Sequence, residues 1–168
     1  MNAKTVFFFL LFLAFAGCVQ QDVESTQEAF FCPEDGCAKK LVEKFRNAGQ
    51  SIDVAVYSFT LDEISNSLIQ AKNRGVRVRV LVDSMQAANR FSEDERLAEN
   101  GIKVRLAGKD GGSMHNKFAV IDSEIVATGS FNYSRNADEK NDENLVFLYN
   151  KQTAQKFREE FEELWKGN

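Results

Sequence analysis

Three short runs rich in β-branched residues, SIDVAVYSF, VRVRVLVD and IKVRLAG, recur along the middle of the chain, with stretches of helical periodicity between them. In the first, Ile52, Val54, Val56 and Ser58 alternate with Ala55 and Tyr57, the period of two that a buried strand requires. Ahead of it, CAKKLVEKFRNA carries apolar residues at helical spacing. After it, Leu61, Ile64, Leu68 and Ala71 fall on one face of a helix that Asn73, Arg74 and Gly75 close. Ala87 to Asn100 reads as a further helix, ended by Gly101. Strands and helices alternating at this spacing form βαβ units, which pair in parallel through right-handed crossovers.

Beyond Gly112 the pattern changes. HNKFAVID and IVATGSF, separated by Ser123 and Glu124, predict a hairpin, and ENLVFLYN a further strand. The terminal KQTAQKFREEFEELWKG predicts an amphipathic helix that turns Phe157, Phe161, Leu164 and Trp165 toward the sheet. The expected fold class is therefore α/β, a mixed, largely parallel β-sheet flanked by helices on both faces. With 168 residues, 43% hydrophobic and 27% charged, the chain has room for one such domain.

The N-terminus has a different character. One lysine, Lys4, precedes an unbroken apolar run from Val6 to Ala16, too short for an ordinary transmembrane helix and suited to the core of an export signal. The small residues before Cys18 resemble the lipobox of bacterial lipoproteins, although Phe15 is unusual three places ahead; an uncleaved anchor is the alternative. Expected boundaries are a signal over residues 1–17 with Cys18 as a lipidation candidate, a polar linker over 18–30, and a catalytic domain over 31–168. Both readings place the domain outside the cytosol, in the periplasm, outside the cell or tethered to a membrane through Cys18.

Without Cys18, Cys32 and Cys37 remain as an even pair in FFCPEDGC, which an exported domain would oxidise to a disulfide. A structural zinc site fails on ligand number, since only His115 could be added to them. No metal and no cofactor is expected. The net charge of −4, more negative once Lys4 is lost, gives no general attraction for polyanions. Lys72, Arg74, Arg77 and Arg79 cluster in AKNRGVRVRV, a run that helix-end and strand-face solvation explain as well as phosphate binding does.

The chemistry resides in SMHNKFAVIDSEIVATGSFNYS. His115, Lys117 and Asp122 follow the spacing His-x-Lys-x-x-x-x-Asp, and Gly129, Ser130 and Asn132 follow in turn. Average composition would give the first three at this spacing in about one chain of this length per hundred; the added Gly-Ser-x-Asn removes coincidence. In a strand His115 and Lys117 would face the same side. A neutral imidazole can attack a phosphodiester phosphorus to form a phosphohistidine that water later hydrolyses, without a metal. Lys117, with Ser130 and Asn132, can donate to the nonbridging oxygens as charge builds on them.

These residues resemble the signature of the phospholipase D superfamily, over the whole domain from about Phe31. The likeness is greatest to the small single-motif endonucleases of bacteria and more distant to mitochondrial Zucchini-type proteins. The resemblance implies that Glu143, in NDENLVF, orients His115, and that Asp122 mainly holds local structure. It also implies that a second motif histidine protonates the leaving group. Because His115 is the only histidine, that group must come from another copy, so a homodimer sharing one active site is expected. Nucleic acid is the expected substrate, acted on with little sequence preference; phospholipid headgroups or cardiolipin are the alternative, and a non-catalytic binding module is a third class.

Overall fold

The computed structural model describes residues 26–108 and 111–167. The expected signal, Cys18 and the first part of the linker lie outside these residues. The linker ends earlier than the sequence suggested, because strand β1 (Thr26–Cys32) already runs antiparallel along the sheet edge. Most of β1 is exposed, so its sequence carries no burial alternation to read.

The remaining elements are α1 (Cys37–Asn47), β2 (Ser51–Val56), α2 (Asp62–Asn73), β3 (Arg77–Asp83), α3 (Ser84–Ala87), α4 (Asp94–Glu99), β4 (Lys103–Ala107), β5 (Lys117–Ile121), β6 (Ile125–Gly129), α5 (Arg135–Glu139), β7 (Glu143–Tyr149) and α6 (Lys151–Lys166). One seven-stranded sheet in the order β1-β7-β6-β5-β2-β3-β4 collects every strand. The sheet is mixed and α/β, but it is not largely parallel. Only β2–β3 and β3–β4, the two βαβ units, pair in parallel, whereas the other four pairings are antiparallel. Consecutive strands joined by a tight turn, as in β5–β6, can only pair antiparallel.

The helix expected over 87–100 is interrupted. Residues 88–93 form turns in which Ser92 N–H donates to the Asn89 carbonyl and Glu93 N–H to the Phe59 carbonyl, leaving α3 and α4 as short pieces. His115 and Asn116 also lie ahead of β5 rather than within it.

Each sheet face is covered. Ile52, Val54 and Val56 of β2 join Leu41, Phe45, Ile64 and Leu68 of α1 and α2 in one cluster, while Ala55, Phe118 and Val120 meet Phe161, Phe157 and Trp165 of α6 on the other side. This alternation of facing side chains is the pleat expressed as burial. A buried ion pair fastens α6: Arg79 donates from Nε and Nη2 to Asp53 at 2.8 and 2.9 Å and to Glu162 at 2.6 Å, with its guanidinium against the Phe161 and Trp165 rings. Arg77 also reaches Asp53, and Arg74 donates to the Phe45 and Ala48 carbonyls. Three of the four clustered cations thus have partners within the fold, and Arg79 is the buried one. Among the described residues no helix is long and apolar enough to cross a membrane.

Candidate active site

Sheet register brings the motif together at one end of the strands. Val56 at the end of β2 lies opposite Lys117 at the start of β5, Gly129 at the end of β6 opposite Leu145, and Glu143 at the start of β7 opposite Cys32. His115, Lys117, Ser130, Asn132 and Glu143 therefore belong to segments that start or stop at the same end of the sheet. Chain ends and loops there leave backbone and side chains accessible, while the paired strands hold them in place.

Lys117 Nζ lies 3.0 Å from Nδ1 of His115 and 2.8 Å from the His115 carbonyl oxygen. Nε2 of the same ring is 3.4 Å away, so a neutral imidazole can accept from this amine through either nitrogen. His115 is exposed and Lys117 is half-buried. Burial pushes the Lys117 amine below the ordinary lysine range, opposed by the Glu143 carboxylate, which favours the charged form.

Glu143 is placed differently from its expected role. Its carboxylate accepts from the Ser130 hydroxyl and, at 3.1 Å, from the Asn141 amide, with no hydrogen bond to His115 among the described residues. Within one chain it orients Ser130, not the imidazole. Asn144, which the sequence did not single out, adds to this hold: its N–H donates to Ser130 Oγ at 3.1 Å and its Oδ1 accepts from Ser130 N–H at 3.3 Å. The Gly in Gly-Ser-x-Asn is required by this contact, since a Cβ on Gly129 would stand 2.2 Å from the Asn144 carbonyl oxygen. Asn132 Oδ1 accepts from Ser58 N–H at 3.3 Å, which directs its amide end to serve as the donor.

Asp122 is set apart from these groups. It lies past the far end of β5 and accepts from the N–H groups of Gly49, Gln50 and Ser51 at 2.9, 2.7 and 2.8 Å. It clamps the turn between α1 and β2, away from His115 and Lys117. Burial opposes ionisation, but the three backbone donors outweigh it and hold the carboxyl below the usual aspartate range. Asp122→Ala should lower unfolding stability by about 2 kcal/mol, since it strands three donors to a charged acceptor. A carboxyl lowered in the folded state stabilises above its unfolded pKa and loses that contribution as pH falls through the folded value. Urea unfolding at several pH values should thus show the gap between Asp122→Ala and the parent closing in acid; a pH-independent gap would contradict this role.

Cys32 and Cys37 are joined by a disulfide with their Cα atoms 5.7 Å apart, in the turn that follows β1 beside Glu143. Of the aromatic residues Phe30, Phe31, Tyr57 and Phe59, Phe59 is buried against Tyr133, Phe30 packs on Phe147, and Phe31 is exposed. Tyr57 alone of these meets the motif, its ring 4.4 Å from that of His115. Among the described residues no three His, Cys, Asp or Glu side chains are grouped to hold a metal ion.

This mixed sheet, with a His-Lys pair at the ends of its central strands, is that of a phospholipase D-type domain, and the chain belongs to the phospholipase D superfamily: residues 41–165 match the family model described as cardiolipin synthase, PLD-like domain. The chain is 34% identical over 126 residues to a mitochondrial cardiolipin hydrolase of Chlamydomonas reinhardtii, covering 75% of this chain and 56% of that one. It is 35% identical over 127 residues to a phospholipase D of Rickettsia prowazekii, covering 76% of this chain and 62% of the relative. It thus spans about three-fifths of the length of these curated relatives. The crystal structure of Nuc, a phospholipase D family member from Salmonella typhimurium, superposes with a TM-score of 0.80 at 31% identity, covering 85% of this chain and 95% of Nuc.

Proposed function

We propose that this chain is a metal-independent phosphodiesterase that works through a phosphohistidine on His115, with nucleic acid as its substrate. The observation that carries the reading is the His115–Lys117 pair, 3.0 Å apart at the open ends of the central strands. An incoming phosphate draws the Lys117 ammonium onto its nonbridging oxygens. The freed imidazole nitrogen attacks phosphorus, a P–N bond forms, and the P–O bond to the leaving alcohol breaks. Ser130 and Asn132 share the developing charge with Lys117. Water then attacks the phosphohistidine, the P–N bond breaks, and the imidazole is restored.

The leaving alkoxide takes a proton in the first step, and the attacking water gives one up in the second. With one histidine in the chain, we assign that proton to His115 of a second copy, in a two-fold dimer that covers the exposed motif. An excess of His115→Ala chain, mixed with the parent so that most parent chains sit in heterodimers, should suppress turnover per intact chain. Undiminished turnover per intact chain would refute the shared site. Glu143, pinned to Ser130 within its own chain, keeps that hydroxyl aimed at the phosphate.

Nucleic acid is favoured by the resemblance to small single-motif bacterial endonucleases and by the near-complete overlap with the compact Nuc chain. The relatives named cardiolipin hydrolase and phospholipase D support phospholipid as the second reading. Export, with Cys18 as a lipid anchor, would bring either substrate within reach. Plasmid, single-stranded DNA, RNA and cardiolipin-containing vesicles, each incubated with the purified chain in EDTA, separate the two: cleaved nucleic acid is expected, headgroup release alone overturns the substrate, and loss of all activity in EDTA overturns the metal-free mechanism.

A further inference from the structure

We propose that Tyr57 is a positioning residue for His115, locked against the imidazole by Gln86, and that Asp83 sets both sides of this contact. The inference rests on His115 being the nucleophile.

Three separate ties hold Tyr57 at the motif. Its backbone N–H donates to the Asn116 carbonyl at 2.9 Å, which extends the β2–β5 pairing one residue beyond the strands and fixes Tyr57 beside the residue between His115 and Lys117. Its ring lies 4.4 Å from the His115 ring at an angle of 49°, and the Lys117 ammonium stands 4.9 Å from the centre of the same ring. Its hydroxyl accepts from Gln86 Nε2 at 3.0 Å. The aromatic face thus borders both reacting side chains, and it attracts the Lys117 cation. His115 itself is exposed and precedes β5, so packing around it does not fix its rotamer. Within one chain Glu143 is turned to Ser130, so Tyr57 is, beside Lys117, the described side chain that limits how the imidazole turns.

Gln86 is held in its turn by Asp83, the last residue of β3, which is fully buried. Oδ1 of Asp83 accepts from the N–H groups of Met85 and Gln86 at 3.0 and 3.2 Å, capping α3. Oδ2 accepts from Met114 N–H at 2.9 Å, one residue ahead of His115. One carboxylate therefore positions Gln86, and through it Tyr57, with one oxygen and the backbone entering His115 with the other. Gly108 permits this convergence: a Cβ there would lie 2.6 Å from Asp83 Oδ2 and 2.9 Å from Met114 N. Ring and nucleophile are both referred to the same rigid strand end, which keeps the attacking nitrogen in line with phosphorus; misplacement by about 1 Å can cost on the order of a hundredfold in rate.

His115 is the only histidine, so its imidazole proton signals can be assigned without ambiguity by NMR of the intact chain. In the parent they should be displaced by the neighbouring ring. In Gln86→Ala they should move toward the position of a free, solvent-exposed histidine. The same variant should lose on the order of tenfold to a hundredfold in kcat on bis(p-nitrophenyl) phosphate with KM unchanged, because orientation and not binding is impaired. Gln86→Glu, whose carboxylate can accept from the Tyr57 hydroxyl, should restore both. Tyr57→Phe keeps the ring and loses the tie, so it should repeat the Gln86→Ala result and decides the matter if that variant fails to fold. Unmoved imidazole signals, an unchanged kcat, or no rescue by glutamate would overturn the proposal. Failure of the nucleophile reading would show differently, as turnover surviving in His115→Asn while these imidazole shifts in the parent persist.

Discussion

His115→Asn should reduce kcat on a phosphodiester by on the order of 10⁴-fold or more while leaving the fold intact. Asparagine keeps a polar side chain of similar reach, but its amide nitrogen has its lone pair delocalised into the carbonyl and cannot attack phosphorus. The same exchange removes the proposed proton donor from the partner copy, so both halves of the reaction fail at once and the effect of one substitution is that of two roles lost. The fold should be indifferent, because His115 is exposed and, among the described residues, its side chain meets only Lys117 and Tyr57. Thermal unfolding within about 0.5 kcal/mol of the parent is the expectation for such a site. Residual turnover within tenfold of the parent would mean that another group forms the bond to phosphorus.

The second large effect is expected at Lys117. Lys117→Met keeps the length and apolar stem but withdraws the charge that meets the nonbridging oxygens, and kcat should fall on the order of 10²- to 10³-fold. Its electrostatics give the effect a pH signature. Burial lowers the amine below the ordinary lysine range more than Glu143 raises it, so activity that needs the protonated form is present at neutral pH and fades on the alkaline side earlier than an ordinary lysine would dictate. Arginine stays charged throughout that range, so Lys117→Arg should retain part of the activity and lose the alkaline decline. A rate profile in which parent and arginine variant fall together in alkali would assign the decline elsewhere.

The legible part of this molecule was what is local in the chain. His115 and Lys117 stand two residues apart, and their meeting needs no long-range information beyond an extended backbone. Likewise, Phe157, Phe161, Leu164 and Trp165 announce the buried stripe of α6 through spacing alone. The less legible part depends on pairings between distant segments. The antiparallel β2–β5 contact, which places Tyr57 against Asn116 and hence beside His115, joins residues some sixty positions apart and leaves no trace in periodicity. Asp83 closes VRVRVLVD with nothing in its spacing to mark it, yet buried it ties Gln86 to Met114. Asn144 escaped notice because its contacts through N–H and Oδ1 each have a backbone N–H at one end, its own toward Ser130 Oγ and that of Ser130 toward its Oδ1, and any residue provides such a group. Glu143 was found by its place in the motif, but its partner, Ser130 in place of His115, follows from the β6–β7 register. At the edge, β1 was read as linker because a strand with one face open has few apolar residues to display.

The most direct test is to quench the enzyme during turnover of a substrate carrying ³²P at the scissile phosphate and locate the label by peptide mapping. The proposed chemistry predicts phosphate on His115, stable in alkali and lost in mild acid as a phosphoramidate must be. Label on a serine, a lysine or a carboxylate, or none at all under conditions of steady turnover, would contradict it.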